Sequence, residues 1–311
     1  MRRSHAVALV LIWCVQTSTA FAWGSKGHQL VTAVAIERSP APLKQFFGPN
    51  TARLRDLAVV PDALWKQSAT YAQEKFHHFY QVDEYNKSPL ANILPAPFAD
   101  ALQQSTAAFL KTNGTAVWRA DQMFQMLVEA FRTNQPDKIL QWSGIISHYV
   151  GDLSQPMHVT SDYDGQSIQR RGIHKYFEVD VLERVNEQTL FQDILRASAK
   201  FELSNDLSSE SGIYEQDLSI SSPSWTVNRT HQLALKSLED LPAVIHAFAG
   251  SQDPTDQTLL NFSVPEMALG ARTLAEVWEK AWVTAGSPTG LPNRAITVAD
   301  PAFVAFSQMA L

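Results

Sequence analysis

The sequence predicts an all-α protein, a single mostly helical domain, and two observations support this prediction. Apolar residues recur at steps of three and four along nearly the whole chain, which is the spacing of a helix buried on one face. No segment alternates between apolar and polar residues for more than a few positions, so strands are not indicated. We find no repeat, low-complexity segment or linker that would separate two cores.

The predicted helices follow one another along the chain. The first comes after Gly24-Ser25-Lys26-Gly27 and is marked by apolar residues at 30, 31, 34 and 35. Further helices are predicted near residues 97–112, 119–132, 136–153, 174–186, 188–202, 228–248 and 264–284. Residues 78–96 and 203–227 are predicted as loops.

The first 22 residues have the features of a secretory signal peptide. Arg2-Arg3 precede an apolar stretch, and Ala20-Phe21-Ala22 places small residues where a signal peptidase reads them. Cleavage after Ala22 would leave 289 of the 311 residues, beginning at Trp23. The apolar stretch is too short for a membrane span, so we expect a secreted protein, extracellular or periplasmic. The predicted organisation is a signal peptide (1–22), a helical domain (23–285) and a C-terminal tail without predicted structure (286–311).

Charge and cysteine content narrow the range of functions. The net charge is −6, and loss of Arg2 and Arg3 with the signal peptide would make it −8. Such an acidic chain is unsuited to gripping duplex nucleic acid through clustered Lys and Arg, although metal ions can still bind phosphate for it. The only cysteine, Cys14, lies in the predicted signal peptide, which leaves no disulfide and no thiolate ligand. Any metal must be held by His, Asp and Glu.

Residues 148–158 contain the first candidate metal ligands. His148 and Asp152 are four apart on a predicted helix, so they project from one face, where a single ion can contact both. Gln155-Pro156 ends the helix and turns the chain, which brings His158 back toward the same region. Taken alone, the segment is explained equally well by a helix cap and two ordinary histidines.

A second pair with the same spacing is His174 and Glu178. Glu178 lies on an apolar helical face with Phe177 and Val181, where a carboxylate needs an ion partner or a metal to offset its desolvation. An ion pair with Arg171 at the edge of that face is the more ordinary explanation of this segment.

Three more candidates precede these pairs. His28 follows the predicted mature N-terminus, where Trp23 would carry a free α-amine whose ordinary pKa, about 7.7–8.0, allows metal binding. Asp62 follows a proline, and His77 and His78 stand beside aromatic residues. Chemistry alone does not choose between the two adjacent histidines, and each candidate can also be an ordinary core or loop residue.

The candidates are more informative together than separately. Five ordinary explanations would have to hold at once, whereas one set of nitrogen and oxygen ligands suited to zinc accounts for all of them. Clusters of this size usually hold more than one ion, and paired metals about 3.5–4 Å apart recur in enzymes that hydrolyse phosphate esters.

The order and spacing of these residues resemble those of a known superfamily from Trp23 to about Arg184. It comprises the bacterial zinc-dependent phospholipases C and the single-strand-specific zinc nucleases of fungi and plants. The shared pattern is an N-terminal Trp, a His, an Asp, His-Phe, His-x-x-x-Asp-x-x-x-x-x-His and His-x-x-x-Glu. The resemblance implies an all-α fold around a cleft with three zinc ions. It assigns Asp62, His78, His148 and Asp152 to the first zinc, His158, His174 and Glu178 to the second, and the amine and carbonyl of Trp23, His28 and a bridging Asp152 to the third.

Features of both branches of the superfamily occur in the chain. The N-terminal Trp-Gly-x-x-Gly-His resembles the nucleases. His78-Phe79-Tyr80-x-x-Asp83 and the last ligand, Glu178, resemble the phospholipases, and the Gly-Gly-Asn stretch of many nucleases is missing from 159–173. Ala63 stands where choline-selective phospholipases tend to have tyrosine, which argues against choline recognition.

The favoured prediction from the sequence is a secreted phospholipase C that cleaves phospholipid headgroups at a membrane surface by metal-activated water. The resemblance makes Asp62 both a ligand and the general base. Phe79 and Tyr80 are predicted to form a substrate-binding wall beside the cleft, or else simply to pack. The alternative is a single-strand-specific zinc endonuclease that releases 5′-nucleotides from DNA or RNA. A zinc-stabilised binding protein without turnover is a remoter alternative. Structural zinc sites are closed by four protein ligands, whereas the metals expected here keep open positions. No stable protein partner is implied.

Overall fold

Helices provide the regular secondary structure of the protein. The computed structural model describes residues 23–67, 69–91, 97–169, 171–201, 225–249 and 256–306. The α-helices of these residues are α1 (Gly24–Arg38), α2 (Ala41–Phe47), α3 (Thr51–Leu57), α4 (Tyr71–Glu74), α5 (Val82–Tyr85), α6 (Phe98–Gln104), α7 (Ala107–Asn113), α8 (Ala116–Arg132), α9 (Pro136–Leu153), α10 (Ile173–Lys175), α11 (Val181–Glu183), α12 (Glu187–Ser198), α13 (Trp225–Ala249) and α14 (Asp256–Thr284). Shorter 3-10 or π-helical turns cover Gly48–Asn50, Pro61–Trp65, Lys75–His77, Pro156–His158 and Tyr176–Asp180.

The all-α prediction is confirmed, since no β-strand occurs within the described ranges. The predicted helix over 136–153 coincides with α9, while the one predicted over 97–112 is divided into α6 and α7. The division falls at Thr106, whose hydroxyl caps α7 by accepting a hydrogen bond from the Phe109 amide (3.1 Å). None of the described helices is both long enough and apolar enough to cross a membrane.

Several short helices were not predicted. The pattern indicated neither α2 and α3 nor the helical turns between 61 and 77, and α5 lies inside a predicted loop. These segments have only one or two helical turns, which is too short for an apolar period to stand out. The predicted signal peptide and most of the predicted loop 203–227 fall outside the described residues.

Helix α9 lies at the centre of the molecule. Pro136 begins it, a position where the missing amide hydrogen of proline costs nothing, and every residue from Ile139 to Leu153 is buried. It packs against α1, α3, α8, α13 and α14. Trp278 of α14 donates its indole N–H to the Ser143 carbonyl (3.1 Å) and so joins the last long helix to the central one. Polar side chains on α9 are therefore held inside the protein, among five neighbouring helices.

Residues 286–306, here called the C-terminal strap, run without regular secondary structure across the helical core. The strap is anchored where Trp65 donates its indole N–H to the Pro301 carbonyl (3.1 Å). Near its end, the buried Phe306 ring meets the His77 ring edge-on at 5.0 Å. The strap thus packs against the turns Pro61–Trp65 and Lys75–His77. The first turn contains the candidate ligand Asp62, and the second directly precedes the candidate ligand His78.

We predict that Phe306→Ala will lower the free energy of unfolding by about 3 kcal/mol, because it removes a buried ring and leaves a cavity. Val283→Ala is the matched control, since Val283 is exposed and its change is expected to cost less than about 0.5 kcal/mol. Urea unfolding followed by circular dichroism measures both. Equal stability of the two variants would show that the strap is only loosely attached.

Candidate metal centre

Eight of the predicted ligands form three buried groups, and inside each group the ligand atoms lie within 4.8 Å of one another. The groups are His28, His148 and Asp152; Asp62, His78 and His148; and His158, His174 and Glu178. His148 belongs to two groups, which makes these two adjacent. The three groups thus contain every side chain to which the resemblance assigned a metal-binding role.

Asp152 lies between the first two groups. Its Oδ1 is 3.4 Å from His28 Nε2, and its Oδ2 is 3.3 Å from His78 Nδ1 and 3.5 Å from His148 Nε2. The helical spacing of α9 places His148 and Asp152 on one face, as the sequence indicated. The two carboxylate oxygens thus face different groups, Oδ1 toward His28 and Oδ2 toward His78 and His148. A carboxylate that bridges two ions would be arranged in this way.

His28 reaches α9 from α1. Its ring stacks on the His148 ring at a centroid distance of 4.0 Å. This approach requires a glycine at 151, because a Cβ there would lie 2.8 Å from His28 Nδ1. Trp23 is fully buried just before α1, and its indole N–H donates to Ser154 Oγ (3.0 Å). The Trp23 carbonyl accepts a hydrogen bond from the Gly27 amide (2.9 Å) and, like any carbonyl, has a second lone pair.

Asp62 and His78 enter the centre from irregular segments. Asp62 lies in the π-helical turn Pro61–Trp65, and its Oδ1 is 3.5 Å from His78 Nδ1 and 3.2 Å from Lys66 Nζ. His77 points the other way and shares a hydrogen bond with Thr115 Oγ1 (2.7 Å). His78, and not His77, therefore lies in one of the three groups.

The third group joins the turn after α9 to the segment that begins with α10. His158 Nε2 and His174 Nε2 are 2.9 Å apart, and Glu178 Oε2 is 3.0 Å from His174 Nε2. Glu178 lies in the second π-helical turn, Tyr176–Asp180, and also accepts from Gln155 Nε2 (3.3 Å). Both π-helical turns of the described chain thus carry a carboxylate of the centre, a local geometry that is frequent at functional sites.

The donor atoms of the centre fit a bound cation. Both nitrogens of His28 and both carboxylate oxygens of Asp152 are buried without a hydrogen-bond partner. Burial lowers the pKa of His28, His78 and His148 well below its ordinary value, so these rings are neutral and able to bind metal. Burial, and after it the charge of Asp62, raises the pKa of Asp152 well above its ordinary value. The charge of Lys66 only partly offsets the desolvation of Asp152, whose pKa stays raised, and a cation between these groups would offset it further.

Some ring nitrogens of the candidate histidines face away from the other ligand atoms, and these have partners that the sequence did not indicate. His148 Nδ1 bonds the Ala58 carbonyl (2.9 Å), and His158 Nδ1 bonds the carbonyl of His78. Glu74 Oε1 lies 3.5 Å from His78 Nε2. Glu74 is four residues before His78, but this spacing alone did not indicate a contact. It is informative only because both side chains are buried.

A cleft of about 940 Å³ opens beside the second and third groups. Its lining includes His78, His158 and His174, the half-buried Phe79, and the lysines Lys66, Lys75 and Lys111. Phe79 is held by a close approach of Gly114, whose φ of +84° and lack of a Cβ let it lie against the Phe79 carbonyl.

Tyr80 does not line the cleft, contrary to the prediction that it forms the wall with Phe79. Its side chain is fully buried, stacks on Tyr85 (4.4 Å) and shares a hydrogen bond with His231 Nδ1 (3.1 Å). Phe79 lines the cleft, whereas the contacts of Tyr80 with Tyr85 and His231 hold its ring in the core. The packing role considered for Tyr80 is the one the structure shows.

An all-α fold with buried clusters of His, Asp and Glu is what the resemblance to the zinc-dependent phosphodiesterases implies, and the protein is of this class. Residues 23–241 match the model of the S1/P1 nuclease family, and the chain belongs to that family.

Two further proteins are similar to the chain. A protein of Bradyrhizobium tropiciagri named as a probable serine protease is 28% identical over 215 residues, which is 61% of this chain and 26% of that protein. The chain thus spans about a quarter of that relative's length. Among solved structures, the alpha toxin of Clostridium absonum aligns with a TM-score of 0.48 and 16% identity over 81% of this chain and 66% of the toxin.

Proposed function

We propose that the protein is a zinc-dependent nuclease that hydrolyses the phosphodiester bonds of single-stranded nucleic acid. The observation that carries this proposal is the chemistry of the cleft. Three lysines and four aromatic residues line it beside the candidate metal ligands, and no Asp or Glu occurs among its described lining residues. A positively charged groove with aromatic rings is the combination that binds single strands, since lysines contact phosphates and rings stack on bases.

Zinc would be held by the residues that the resemblance assigned. Asp62, His78, His148 and Asp152 would hold the first ion, His158, His174 and Glu178 the second, and Trp23, His28 and Asp152 the third. Bound zinc supplies Lewis-acid stabilisation of phosphate charge and lowers the pKa of a coordinated water. The nitrogen and oxygen donors, with no thiolate, suit this ion.

Protein groups would orient the substrate and move the proton. Asp62 is our candidate for the general base, and its Oδ2 would take the proton because Oδ1 already faces His78 and Lys66. Lys66 lines the cleft at 3.2 Å from Asp62 Oδ1, so it both restrains this carboxylate and adds positive charge where phosphate would enter. Phe79 would stack on a base next to the reacting phosphate.

Two exposed lysines extend the positive charge along the cleft. Lys75 Nζ lies 5.5 Å from the centre of the Tyr71 ring, and Lys111 Nζ lies 5.8 Å from that of Phe76. The Tyr71 ring is exposed, so a nucleotide can place a phosphate on Lys75 and its base on Tyr71, whereas the buried Phe76 ring supports Lys111.

Phospholipid is the second candidate substrate. The motif His78-Phe79-Tyr80-x-x-Asp83 and Glu178 favour it, and they led the sequence analysis to prefer a phospholipase. In the structure, however, Asp83 accepts a hydrogen bond from the Ser161 amide (2.9 Å). No carboxylate that could pair with a cationic headgroup occurs among the described residues of the cleft lining, which favours the nuclease.

A side-by-side assay tests the proposal. Purified protein with zinc would be given single-stranded DNA, single-stranded RNA, phosphatidylcholine vesicles and phosphatidylglycerol vesicles. We expect release of nucleotides from the single strands and little diacylglycerol from either lipid. Diacylglycerol release without nucleotide release would overturn the nuclease in favour of the phospholipase, and no turnover of any substrate would favour a binding protein.

The lysine pair gives a quantitative prediction. The double change Lys75→Gln and Lys111→Gln should raise KM for single-stranded DNA several-fold and leave kcat nearly unchanged, because these residues contact phosphates away from the reaction. The dependence of log KM on log salt should also weaken by about 0.7 for each lost phosphate contact. Lys44→Gln, which removes an exposed lysine paired with Glu37 on the outside, is the control. An unchanged salt dependence in the double variant would remove these lysines from the binding surface.

A further inference from the structure

We propose that Glu74 is a positioning residue that holds the proton of His78 on Nε2, so that Nδ1 is free to bind metal. The proposal rests on the proposed zinc ligation by His78. Glu74 itself belongs to none of the three ligand groups, and it would act only through the ring of His78.

The two nitrogens of His78 lie in different surroundings. Nδ1 is 2.9 Å from His148 Nε2, 3.3 Å from Asp152 Oδ2 and 3.5 Å from Asp62 Oδ1, so this edge faces the other candidate ligands. Nε2 is buried, has no hydrogen-bond partner and lies 3.5 Å from Glu74 Oε1. A neutral imidazole carries one proton, and only its bare nitrogen can bind a metal. The ring must therefore carry its proton on Nε2, next to the Glu74 carboxylate.

Glu74 is itself held in one position. It is fully buried, its Oε2 accepts from Arg119 Nη2 (2.9 Å), and its Oε1 accepts from the Tyr149 hydroxyl (2.5 Å). Arg119 is also fully buried and donates from Nε to the Tyr149 oxygen (3.2 Å). Every neighbour of the carboxylate is thus a donor, which keeps two acceptor oxygens in place. Histidine ligands of metals commonly donate their second N–H to such a carboxylate, and loss of the partner typically weakens metal binding about 10–100-fold.

The network explains why an amide cannot replace this carboxylate. In a Glu74→Gln variant, Arg119 still requires an acceptor, so the amide oxygen turns toward its guanidinium. The amide nitrogen then faces His78 Nε2, and a donor at that place favours the opposite tautomer, with the proton on Nδ1. The substitution is nearly the same in size, so its expected effect is on the tautomer and on metal affinity rather than on packing.

Zinc affinity and the tautomer of His78 test the inference without an activity measurement. We expect Glu74→Gln to weaken the zinc-binding step that involves His78 about 10–100-fold, as measured by competition with a chromophoric chelator. The matched control is Glu266→Gln, because Glu266 is also a buried glutamate but bonds Ser237 (2.7 Å) between α13 and α14. The control should bind zinc with the affinity of the unaltered protein. Equal zinc affinity in the two variants would overturn the proposal.

A second measurement needs no variant and remains decisive if Glu74→Gln does not fold. In the metal-free protein, His148 donates Nδ1–H to the Ala58 carbonyl, and its bare Nε2 can accept from His78 Nδ1, so the measurement is made with zinc bound. Nitrogen-15 and proton spectra of the zinc-loaded, histidine-labelled protein show whether the Nε2 proton of His78 is hydrogen-bonded. We expect this proton to exchange slowly and to be shifted downfield by a hydrogen bond to the Glu74 carboxylate. A rapidly exchanging Nε2 proton without that shift would refute the role of Glu74, even if zinc binds normally. Absence of zinc binding by the unaltered protein would instead count against the proposed function, so the two failures are distinguishable.

Discussion

Asp152→Asn is expected to remove more than one zinc ion from the protein and to abolish most of its activity. The two oxygens of Asp152 face different groups, Oδ1 toward His28 and Oδ2 toward His78 and His148. Asparagine offers one neutral oxygen in place of two charged ones, so the site with His28 loses its carboxylate and the site with His78 and His148 keeps only Asp62. We expect the zinc content to fall from about three ions to about one per chain.

The loss of turnover should be roughly 10³-fold. Metal stabilisation of transition-state charge amounts to several kcal/mol, and each 1.4 kcal/mol corresponds to about a factor of ten in rate. Mass spectrometry of the dialysed protein measures the zinc, and nuclease assays measure the rate. Asp121→Asn is the matched control, because Asp121 lies on α8 and bonds Gln125 (3.3 Å) away from the centre. A variant that keeps its full zinc content would disprove the bridging role of Asp152.

A methionine placed before Trp23 is expected to lower zinc content and to leave little activity. Trp23 is fully buried, its backbone is in the left-handed region with φ of 39°, and its indole is fixed by Ser154. Its free amine would bind zinc beside His28, whereas an amide nitrogen has no lone pair available for a metal. The extra residue would also need space next to a closed cluster, where ligand distances vary by only about 0.2 Å.

Two preparations test this prediction. One is made in the cytoplasm with Met directly before Trp23, and the other is exported with residues 1–22 and cleaved after Ala22. Both should show the same helical circular dichroism, because the change does not remove any packed side chain. Mass spectrometry confirms the first residue of each. Equal zinc content and equal specific activity would mean that the Trp23 amine is not a ligand, and it would leave the role of residues 1–22 open.

The sequence by itself determined the all-α class and indicated the eight side chains that form the three buried groups. His148 and Asp152 could be paired because both lie on a long helix, where spacing along the chain fixes direction in space. The same argument related His174 to Glu178. Residues 286–306, in contrast, have no periodicity, so nothing in the pattern showed that they pack on the core. The sequence could therefore predict the direction of a side chain only within a regular helix, where a periodic pattern exists.

Only the tertiary structure decided which side of a non-helical segment faces the centre. His78 and Phe79 point toward the cleft while their neighbours His77 and Tyr80 pack elsewhere, and the partners responsible, Thr115 and His231, are distant in the sequence. Glu74 is held beside His78 by hydrogen bonds from Arg119 and Tyr149, which lie on two other helices. The positive charge of the cleft likewise depends on Lys66, Lys75 and Lys111, which line it from separate segments of the chain. In each case the direction of a side chain is set by contacts between segments far apart in the chain, which no periodic pattern within one segment can encode.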